Sequence, residues 1–298
     1  MDSLLKSIRQ GDTRMLARGI SLVENESVGY RKLLTAIGET YPSNIIGITG
    51  PPGAGKSTLV DALTEKLVEK GKKIAILCVD PSSPFHHGAL LGDRIRMSAW
   101  YNHPGVFIRS LATRGSLGGL HPKIIEITDL MRAASFDYIL IETAGVGQSE
   151  VEIAGLADTT VVVLVPESGD EIQTMKSGLM EIADLFVVNK ADRPGADLFV
   201  KNLRLMLTPA FHREHRDIPV LQTIATRKEG ITELTEKILQ HLETQSHPAR
   251  RSFHLAERAW QLIMHERMND IDKTMLEKKI REEMGKGSFN IYTFISRF

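Results

Sequence analysis

The feature that most constrains this chain is a glycine-rich segment between a short apolar run and a helical pattern. Residues 45–48 are apolar and predict a strand, and Gly50-Pro-Pro-Gly-Ala-Gly-Lys-Ser follows with the spacing of a P-loop. Glycines let the backbone N–H groups turn toward phosphate oxygens, and a helix N-terminus adds partial positive charge there. The pattern predicts that Lys56 reaches the β- and γ-phosphates and that Ser57 binds Mg²⁺. A glycine-rich turn without a ligand is the alternative, but strand, loop, Lys-Ser pair and helix occur in the required order.

Composition excludes several classes of protein. The 298 residues include 37 basic and 37 acidic side chains, so no global charge attracts nucleic acid or an anionic membrane, and we expect neither partner. The one cysteine, Cys78, cannot form an internal disulfide, and its apolar neighbours predict a buried strand residue. No apolar run is long enough to cross a bilayer, and the N-terminus lacks a signal-peptide pattern, so we expect a cytoplasmic protein.

Strand and helix patterns alternate along most of the chain and predict an α/β P-loop NTPase fold with a mostly parallel central sheet flanked by helices. We expect an N-terminal helical segment at residues 1–42, a nucleotide-binding domain at 43–245 and a C-terminal helical arm at 246–298. Residues 244–252 resemble a linker in composition. After the P-loop strand, the predicted strands are residues 73–79, 138–141, 160–165, 185–188 and 219–224.

Residues 84–122 are rich in Gly, His and Arg and show little periodicity, which predicts an irregular functional segment. His86 and His87 are adjacent, so their side chains diverge, and no spaced third ligand completes a metal site. A pair of solvated loop histidines is therefore the preferred interpretation. The C-terminal arm has two interpretations that stay open: its apolar positions pack on their own chain, or they bind a second subunit.

Acidic residues end two of the predicted strands. Ligands bind beyond the carboxyl ends of the strands in open α/β sheets, so Asp80 is a candidate site residue, although a carboxylate in an ordinary turn is equally compatible. The sequence Glu142-Thr-Ala-Gly145 predicts an acid that orients Mg²⁺ or its water, followed by a glycine whose N–H binds the γ-phosphate. Residues 146–150 would then move when that phosphate is lost.

The sequence Asn189-Lys-Ala-Asp192 follows a buried strand and predicts guanine recognition. One Asp carboxylate can accept hydrogen bonds from guanine N1–H and from its 2-amino group, a pair of donors that adenine does not offer. A site built for these two bonds rejects the wrong base strongly, because its buried polar groups would be left unpaired. A polar turn without a ligand is the alternative, and its position downstream of a P-loop favours guanine.

Seven segments in this order and spacing resemble one family, the MeaB-type (also called ArgK-type) GTPases of the SIMIBI class of P-loop proteins. They are Gly50-Pro-Pro-Gly-Ala-Gly-Lys-Ser-Thr58, Val79-Asp-Pro-Ser-Ser83, Leu91-Gly-Asp93, Leu117-Gly-Gly119, Glu142-Thr-Ala-Gly-Val-Gly-Gln-Ser-Glu150, Gly169-Asp-Glu171 and Asn189-Lys-Ala-Asp192. The resemblance covers about residues 1–245, and the C-terminal arm matches in character more than in residues.

The resemblance implies roles that the residues alone do not show. It implies switch regions at residues 88–97, 146–153 and 169–176, the last with a lysine involved in partner-stimulated hydrolysis. The implied metal-binding residues are Ser57, Asp80, Asp93 and Glu142, and the implied catalytic residues are Lys56, Asp93, Glu142 and Lys176. The implied switch residues are Arg96, Gln148, Asp170 and Gln173. The implied nucleotide-binding residues are Gly50, Pro51, Pro52, Gly53, Ala54, Gly55, Lys56, Ser57, Thr58, Gly145, Asn189, Lys190, Asp192, Ile224, Ala225 and Thr226.

The resemblance also implies a function: a Mg²⁺-dependent GTPase that acts as a chaperone of an adenosylcobalamin-dependent acyl-CoA mutase. The client would be methylmalonyl-CoA mutase or a close relative such as isobutyryl- or 2-hydroxyisobutyryl-CoA mutase. The GTPase would gate cofactor loading and protect or reactivate the mutase. GTP and GDP would be the bound nucleotides, a homodimer would form through the C-terminal extension, and an adenosyltransferase is a further candidate partner.

The chain departs from the family pattern at several positions. Residues 84–87 read Pro-Phe-His-His where the family has a small glycine-containing run, Arg114 replaces a usual Ser, and Ala144 replaces a common Val. Ile224 stands where the last guanine-contacting loop usually has Ser, so a backbone contact to guanine O6 survives there and a side-chain contact does not. We therefore expect a different client or altered control of hydrolysis.

Hydrolysis by the isolated protein is expected to be slow. Val146 follows Gly145, where Ras-like proteins place a glutamine that orients the attacking water. Two alternative functions use the same fold: a metal-insertion GTPase, which the lack of a His/Cys cluster disfavours, and a small-molecule kinase, for which guanine selection would have no purpose.

Overall fold

The computed structural model describes residues 2–38, 43–80, 97–113, 120–145, 149–168, 182–214, 218–244, 248–268, 271, 273–285 and 289–297. The chain divides into two compact units, Met1–Arg250 and Arg251–Phe298. The first unit contains the P-loop and the whole described sheet, so it holds the candidate site.

A seven-stranded sheet forms the centre of the first unit, and every described strand pair is parallel. The strands are β1 (Asn44–Thr49), β2 (Ile74–Asp80), β3 (Val106–Ala112), β4 (Tyr138–Glu142), β5 (Thr159–Leu164), β6 (Leu185–Asn189) and β7 (Val220–Thr223). Their spatial order is β3-β2-β4-β1-β5-β6-β7. This order confirms the predicted α/β P-loop fold and places β1 in the middle of the sheet.

Helices cover the sheet because its strands are apolar on both faces. In the first unit they are α1 (Asp2–Arg9), α2 (Thr13–Glu24), α3 (Tyr30–Thr35), α4 (Lys56–Glu69), α5 (Ile124–Arg132), α6 (Ser149–Leu156), α7 (Ala196–Glu214) and α8 (Ile231–Thr244). Helix α4 packs against the sheet through Leu59, Val60 and Leu63, all of which are buried. Helix α6 packs closely on β1, because a Cβ atom at Gly47 would lie 2.6 Å from Ile153 Cγ1.

Partly buried ion pairs hold the N-terminal segment against β3 and against the residue that precedes α5. Arg109 on β3 donates to Glu24 of α2 at 2.6 Å, and Lys123 pairs with Glu26 at 2.7 Å. The apolar stripe of α2, formed by Leu16, Ile20 and Val23, is fully buried. The first helices therefore belong to the same compact unit as the candidate site.

The structure corrects two local predictions and adds one helix that the sequence did not predict. Residues 106–112 form β3 inside the segment that was expected to be irregular, and the unpredicted helix α7 follows β6. Arg109 interrupts the apolar pattern of β3, and its ion pair with Glu24 joins residues that are far apart in the sequence. The local sequence pattern therefore does not predict this strand. The proposed linker is also partly wrong, because residues 248–252 lie in a helix.

The second unit is helical. Its helices are α9 (Pro248–Arg267), which begins just before the unit, α10 (Lys273–Met284) and α11 (Ile291–Ile295). Asn290 caps α11 by accepting from the N–H groups of Tyr292 and Thr293. Apolar side chains at helical spacing stay exposed on and just after α9, namely Leu255, Trp260, Ile263, Met264 and Met268. Within the described part of the chain, no helix is both long and apolar enough to cross a membrane.

Candidate nucleotide-binding site

The phosphate loop leaves β1 and bends tightly against the next two strands. Gly50 has φ +139°, and a Cβ atom there would lie 2.0 Å from the carbonyl oxygen of Val163 on β5. Gly55 has φ +87°, and a Cβ atom there would lie 2.4 Å from Asn189 Nδ2 on β6. Both positions therefore require glycine for their backbone conformation and for their contacts.

Lys56 is the first residue of α4, and its ammonium group lies inside the curve of the loop. The side chain is buried, and Nζ donates to the carbonyl oxygens of Gly50 at 2.9 Å and Pro51 at 3.1 Å. Its charge adds to the partial positive charge of the helix N-terminus. This end of the sheet thus presents a cation and helix N–H groups, the combination that binds phosphate.

Ser57 and two acidic residues supply oxygen atoms next to the loop. Ser57 Oγ donates to Glu142 Oε1 at 2.7 Å, and the side chains of Glu142 and Asp80 are each only 5% exposed. Strands β2 and β4 pair with Cys78 opposite Glu142, so Asp80 lies at the same carboxyl edge of the sheet. Hydroxyl and carboxylate oxygens are the ligands that Mg²⁺ prefers, and these residues therefore fit that ion.

The described residues alone do not complete an all-side-chain metal site, because they contain no cluster of three or more His, Cys, Asp or Glu residues suited to a metal. Mg²⁺ usually keeps several waters and binds through one or two carboxylates plus substrate phosphates. The set of Ser57, Asp80 and Glu142 matches that mode of binding. Asp93, the remaining predicted ligand, lies outside the described residues.

Gly145 brings the segment after β4 against the P-loop. Its φ is +72°, and a Cβ atom there would lie 2.5 Å from Lys56 Nζ and 2.6 Å from the carbonyl oxygen of Gly50. The hydroxyl groups of Thr49 and Thr143 lie 3.0 Å apart just below, joining the ends of β1 and β4. The backbone at Gly145 therefore lies beside the lysine that is expected to contact the β- and γ-phosphates.

Asn189 connects the phosphate loop with the loop after β7. Its Nδ2 donates to the carbonyl oxygen of Ala54 at 2.9 Å, and its Oδ1 accepts from Thr223 Oγ1 at 3.1 Å and from the N–H of Ala225 at 3.2 Å. The side chain is 2% exposed, so these bonds are protected from water. A direct contact between Asn189 and the nucleotide stays a prediction.

The predicted base-reading residues lie on the more exposed side of the site. Lys190 has φ +57°, and its Nζ donates to the carbonyl oxygen of Gly53 at 2.6 Å. The Asp192 side chain is 39% exposed and lies 3.6 Å (Oδ2 to Nη2) from Arg227. Arg227 ends the 3₁₀ turn Ala225–Arg227, which includes the predicted contacts Ala225 and Thr226. The carboxylate that would read guanine therefore has a cation beside it.

Several predicted site residues fall outside the part of the chain that the structure describes. These are Asp93, Arg96, Gln148, Asp170, Gln173 and Lys176, together with the variant positions 84–87 and 114. The 3₁₀ turn Ser98–Trp100 directly follows the predicted first switch, and Trp100 Nε1 donates to Asp61 Oδ1 of α4 at 2.6 Å. This contact joins the end of that predicted switch to the helix that begins at Lys56.

Sequence reasoning missed the residues that connect the strand ends. Thr49, Thr143 and Thr223 each lie within two residues of the C-terminal end of a predicted strand, and that position is the one signal that could have identified them. Arg227 had no such signal, because its proximity to Asp192 depends on the pairing of β6 with β7.

Comparison with known proteins agrees with this geometry. Residues 16–279 match the family model described as methylmalonyl Co-A mutase-associated GTPase MeaB. A protein of Pyrococcus abyssi that is named as a GTPase is 45% identical over 296 residues, covering 97% of this chain and 89% of that protein. The mitochondrial methylmalonic aciduria type A homolog of Mus musculus is 33% identical over 310 residues, covering 95% of this chain and 73% of that protein.

A solved structure supports the same fold. The crystal structure of a LAO/AO transport system kinase superposes with a TM-score of 0.70 at 26% sequence identity. The match covers 99% of this chain and 95% of that one.

Proposed function

This chain belongs to the MeaB family of methylmalonyl-CoA mutase-associated GTPases and hydrolyses GTP, and from this premise we propose that it is a nucleotide-controlled chaperone of an adenosylcobalamin-dependent acyl-CoA mutase. The client is methylmalonyl-CoA mutase or a close relative, and the GTPase gates cofactor loading and protects or reactivates the mutase. The family description and the name of the mouse relative, which refers to methylmalonic acid, support this client class.

One observation carries the proposal that the protein is a switch. A Cβ atom at Gly145 would lie 2.5 Å from Lys56 Nζ, so the backbone at Gly145 and the lysine are next to each other at the loop. A γ-phosphate held by Lys56 is then within reach of the Gly145 N–H group, and loss of that phosphate removes the bond. The segment that begins at Val146 would respond first, because it follows Gly145 directly.

The residues of the site have different roles in hydrolysis. Lys56 and the N-terminal N–H groups of α4 stabilise negative charge on the transferred phosphate. Ser57, Asp80 and Glu142 would hold Mg²⁺, with Asp93 as a further ligand, and the ion would neutralise charge on the β- and γ-phosphates. Glu142 orients the Ser57 hydroxyl through their 2.7 Å hydrogen bond. With Val146 after Gly145, no side chain at that position can orient the attacking water, so hydrolysis is slow until a partner binds.

The direct test compares GTP turnover by the isolated protein with turnover in the presence of a candidate mutase and its cofactor. We expect a low basal rate and a clear stimulation by the client, with Lys176 or Asp93 needed for the stimulated rate. Rapid hydrolysis by the isolated protein would overturn this mode of control. Adding an adenosyltransferase to the same mixture tests the further partner, through the rate of cofactor transfer to the mutase.

Two further measurements separate this proposal from the two rival functions. A metal-insertion GTPase predicts stoichiometric binding of nickel or another transition ion, measured by equilibrium dialysis. A kinase predicts that the γ-phosphate appears on an acceptor molecule rather than as free phosphate. The structural relative named as a kinase shares the fold, whereas the family model and the Pyrococcus relative are both named as GTPases.

We also propose that the C-terminal arm forms a homodimer. The exposed apolar side chains on and just after α9, Trp260 and Met264 among them, support this proposal, because such a stripe in a helix usually packs on a partner. Trp260→Glu is expected to convert a dimer to a monomer in light scattering after gel filtration. If the variant elutes with the wild-type mass, the second subunit binds elsewhere.

A further inference from the structure

The carboxylate of Asp192 has one recorded partner among the described residues, and that partner is Arg227. Nη2 of Arg227 lies 3.6 Å from Oδ2 of Asp192, which is an ion pair rather than a hydrogen bond. The hydrocarbon side chain of Ile224 can donate nothing to this carboxylate, although it opens the same loop. Arg227 is therefore the residue of the loop after β7 that forms an ion pair with Asp192.

Backbone hydrogen bonds within the loop fix the turn that carries Arg227. Ile224 and Glu229 exchange backbone hydrogen bonds at 3.1 and 3.3 Å, and the N–H of Arg227 donates to the carbonyl oxygen of Ile224 at 2.9 Å. Ala225 donates to Asn189 Oδ1 at 3.2 Å. The loop is therefore tied at both ends, so the Cα atom of Arg227 has a defined position relative to Asp192.

A second ion pair ties the same loop to the helix of the P-loop. Lys228 Nζ lies 2.5 Å from Glu65 Oε2 of α4. Lys228 has φ +58°, a left-handed conformation that reverses the chain directly after Arg227. Arg227 is thus presented from a short, internally bonded turn that is connected to both the phosphate loop and β6.

We propose that Arg227 is a positioning residue for guanine recognition, which holds the Asp192 carboxylate in the orientation that reads the base. This proposal rests on the predicted role of Asp192. A carboxylate has about four lone-pair positions, and guanine N1–H and the 2-amino group use one on each oxygen. Arg227 faces Oδ2 and can pair with a remaining position while the base is bound. The ion pair restricts the rotation of the Asp192 side chain, so this side chain loses less conformational entropy when the base binds.

The expected effect is modest, because the Arg227 and Asp192 side chains are 61% and 39% exposed and water screens their attraction. Pairs of this kind contribute little, so we expect Arg227→Ala to weaken GDP binding by about two- to fivefold. The effect should be specific to the base. Inosine diphosphate lacks the 2-amino group, so the ratio of GDP to inosine diphosphate affinity reports how well Asp192 meets both donors.

The experiment measures both affinities by calorimetry for five proteins: wild type, Arg227→Ala, Arg227→Lys, Asp192→Ala and Arg193→Ala. Arg193 is the matched control, because it neighbours Asp192 in sequence, is similarly exposed and pairs with Glu167 instead. We expect Arg227→Ala to lower the affinity ratio toward that of Asp192→Ala, Arg227→Lys to recover most of it, and Arg193→Ala to keep the wild-type ratio.

Three results would overturn the proposal, and they differ in what else they affect. If Asp192→Ala loses the preference for GDP and Arg227→Ala keeps it, Arg227 does not position Asp192, while guanine reading by Asp192 stands. If Arg193→Ala weakens the ratio as much as Arg227→Ala, a general charge effect explains both. If Asp192→Ala keeps the preference, the premise itself is wrong. A purely structural role for Arg227 would weaken both nucleotides equally and leave the ratio unchanged.

Discussion

At the phosphate end of the site, contacts are made by backbone atoms and buried side chains, whereas at the base end they are made by exposed side chains. Lys56 and Glu142 are 6% and 5% exposed, and three glycines at positive φ shape the loop. The Arg227 and Asp192 side chains are 61% and 39% exposed. Phosphate binding is common to all P-loop proteins, and this end is built into the core of the fold.

The difference teaches where changes are tolerated. At Gly50 and Gly55 the loop is pressed against β5 and β6 and has no room to adjust, so substitutions at these two positions should affect both folding and chemistry. The base end can change its side chains at small cost in stability, because solvent replaces the lost contacts. Preference for a nucleotide base is therefore easier to change than the ability to bind phosphate, and Asn189 joins the two ends.

The largest effect is expected from Gly50→Ala. The new Cβ atom would lie 2.0 Å from the carbonyl oxygen of Val163, and φ is +139°, so we expect the free energy of unfolding to fall by about 3 kcal/mol or more. Gly53→Ala is the matched control in the same loop, since nothing lies within 4 Å of its Cβ position and φ is +76°. It should cost about 1–2 kcal/mol. Urea unfolding without nucleotide measures both, and equal losses would show that the loop is not pressed against β5.

Glu142→Gln tests the chemistry of the phosphate end. The substitution keeps the shape but removes the charge that accepts from Ser57 at 2.7 Å. We expect GTP hydrolysis to fall by about 10- to 100-fold and to need more Mg²⁺, because residues that orient metal ligands have effects of this size. Glu167→Gln is the control, at an exposed glutamate paired with Arg193. Unchanged Mg²⁺ dependence in Glu142→Gln would contradict the metal assignment.

Asn189→Ala should weaken both ends at once. The carbonyl oxygen of Ala54 and the N–H of Ala225 would each lose a buried partner, so we expect about 2 kcal/mol less stability. The affinity for phosphate-containing ligands and the selectivity for guanine should both decrease. Asn202→Ala, at an exposed position of α7, is the control for thermal or urea unfolding. A normal stability with altered base selection alone would mean that Asn189 contacts the nucleotide rather than the two loops.

The smallest effect is expected from Lys228→Ala, at the base end. The hydrogen bond to Glu65, which outweighs desolvation, raises the pKa of Lys228 above its ordinary value of 10.5. Stabilisation by this pair is therefore fully present below pH 10.5 and is lost only as the pH rises through the raised pKa. Unfolding midpoints of the variant and the wild type should differ little and by a constant amount between pH 6 and 9. A difference that varied across this range would require another titrating group.

The sequence predicts the fold well because the order of its motifs is specific. The central strands are each predicted to within a residue or two, since they are continuous apolar runs that end in polar site residues. Strand β3 is not predicted because Arg109 interrupts its apolar pattern, and the recorded side-chain partners of Arg109, Ser21 and Glu24, are both more than eighty residues away in the chain. Local periodicity contains no information about that partner.

The candidate site also contains residues that the sequence predicts and residues that it does not. Lys56, Ser57, Glu142 and Gly145 are predicted by motif spacing, and the structure places them together at the carboxyl edge of β1 and β4. The bridging bonds of Asn189 are not predictable, because an Asn in a base-reading motif suggests a ligand contact. Arg227 is not predictable either, because its ion pair with Asp192 forms only when β6 and β7 pair side by side.

The hydrogen bond between Trp100 and Asp61 gives the protein an internal optical reporter. The chain has two tryptophans, one in each compact unit, so Trp260→Phe leaves Trp100 as the single strong emitter. Its indole is half-buried and donates at 2.6 Å to the helix that begins at Lys56, directly after the predicted first switch. We therefore expect emission from this residue to report changes at the P-loop helix, such as those that accompany nucleotide exchange, without a label attached to the nucleotide or to the protein.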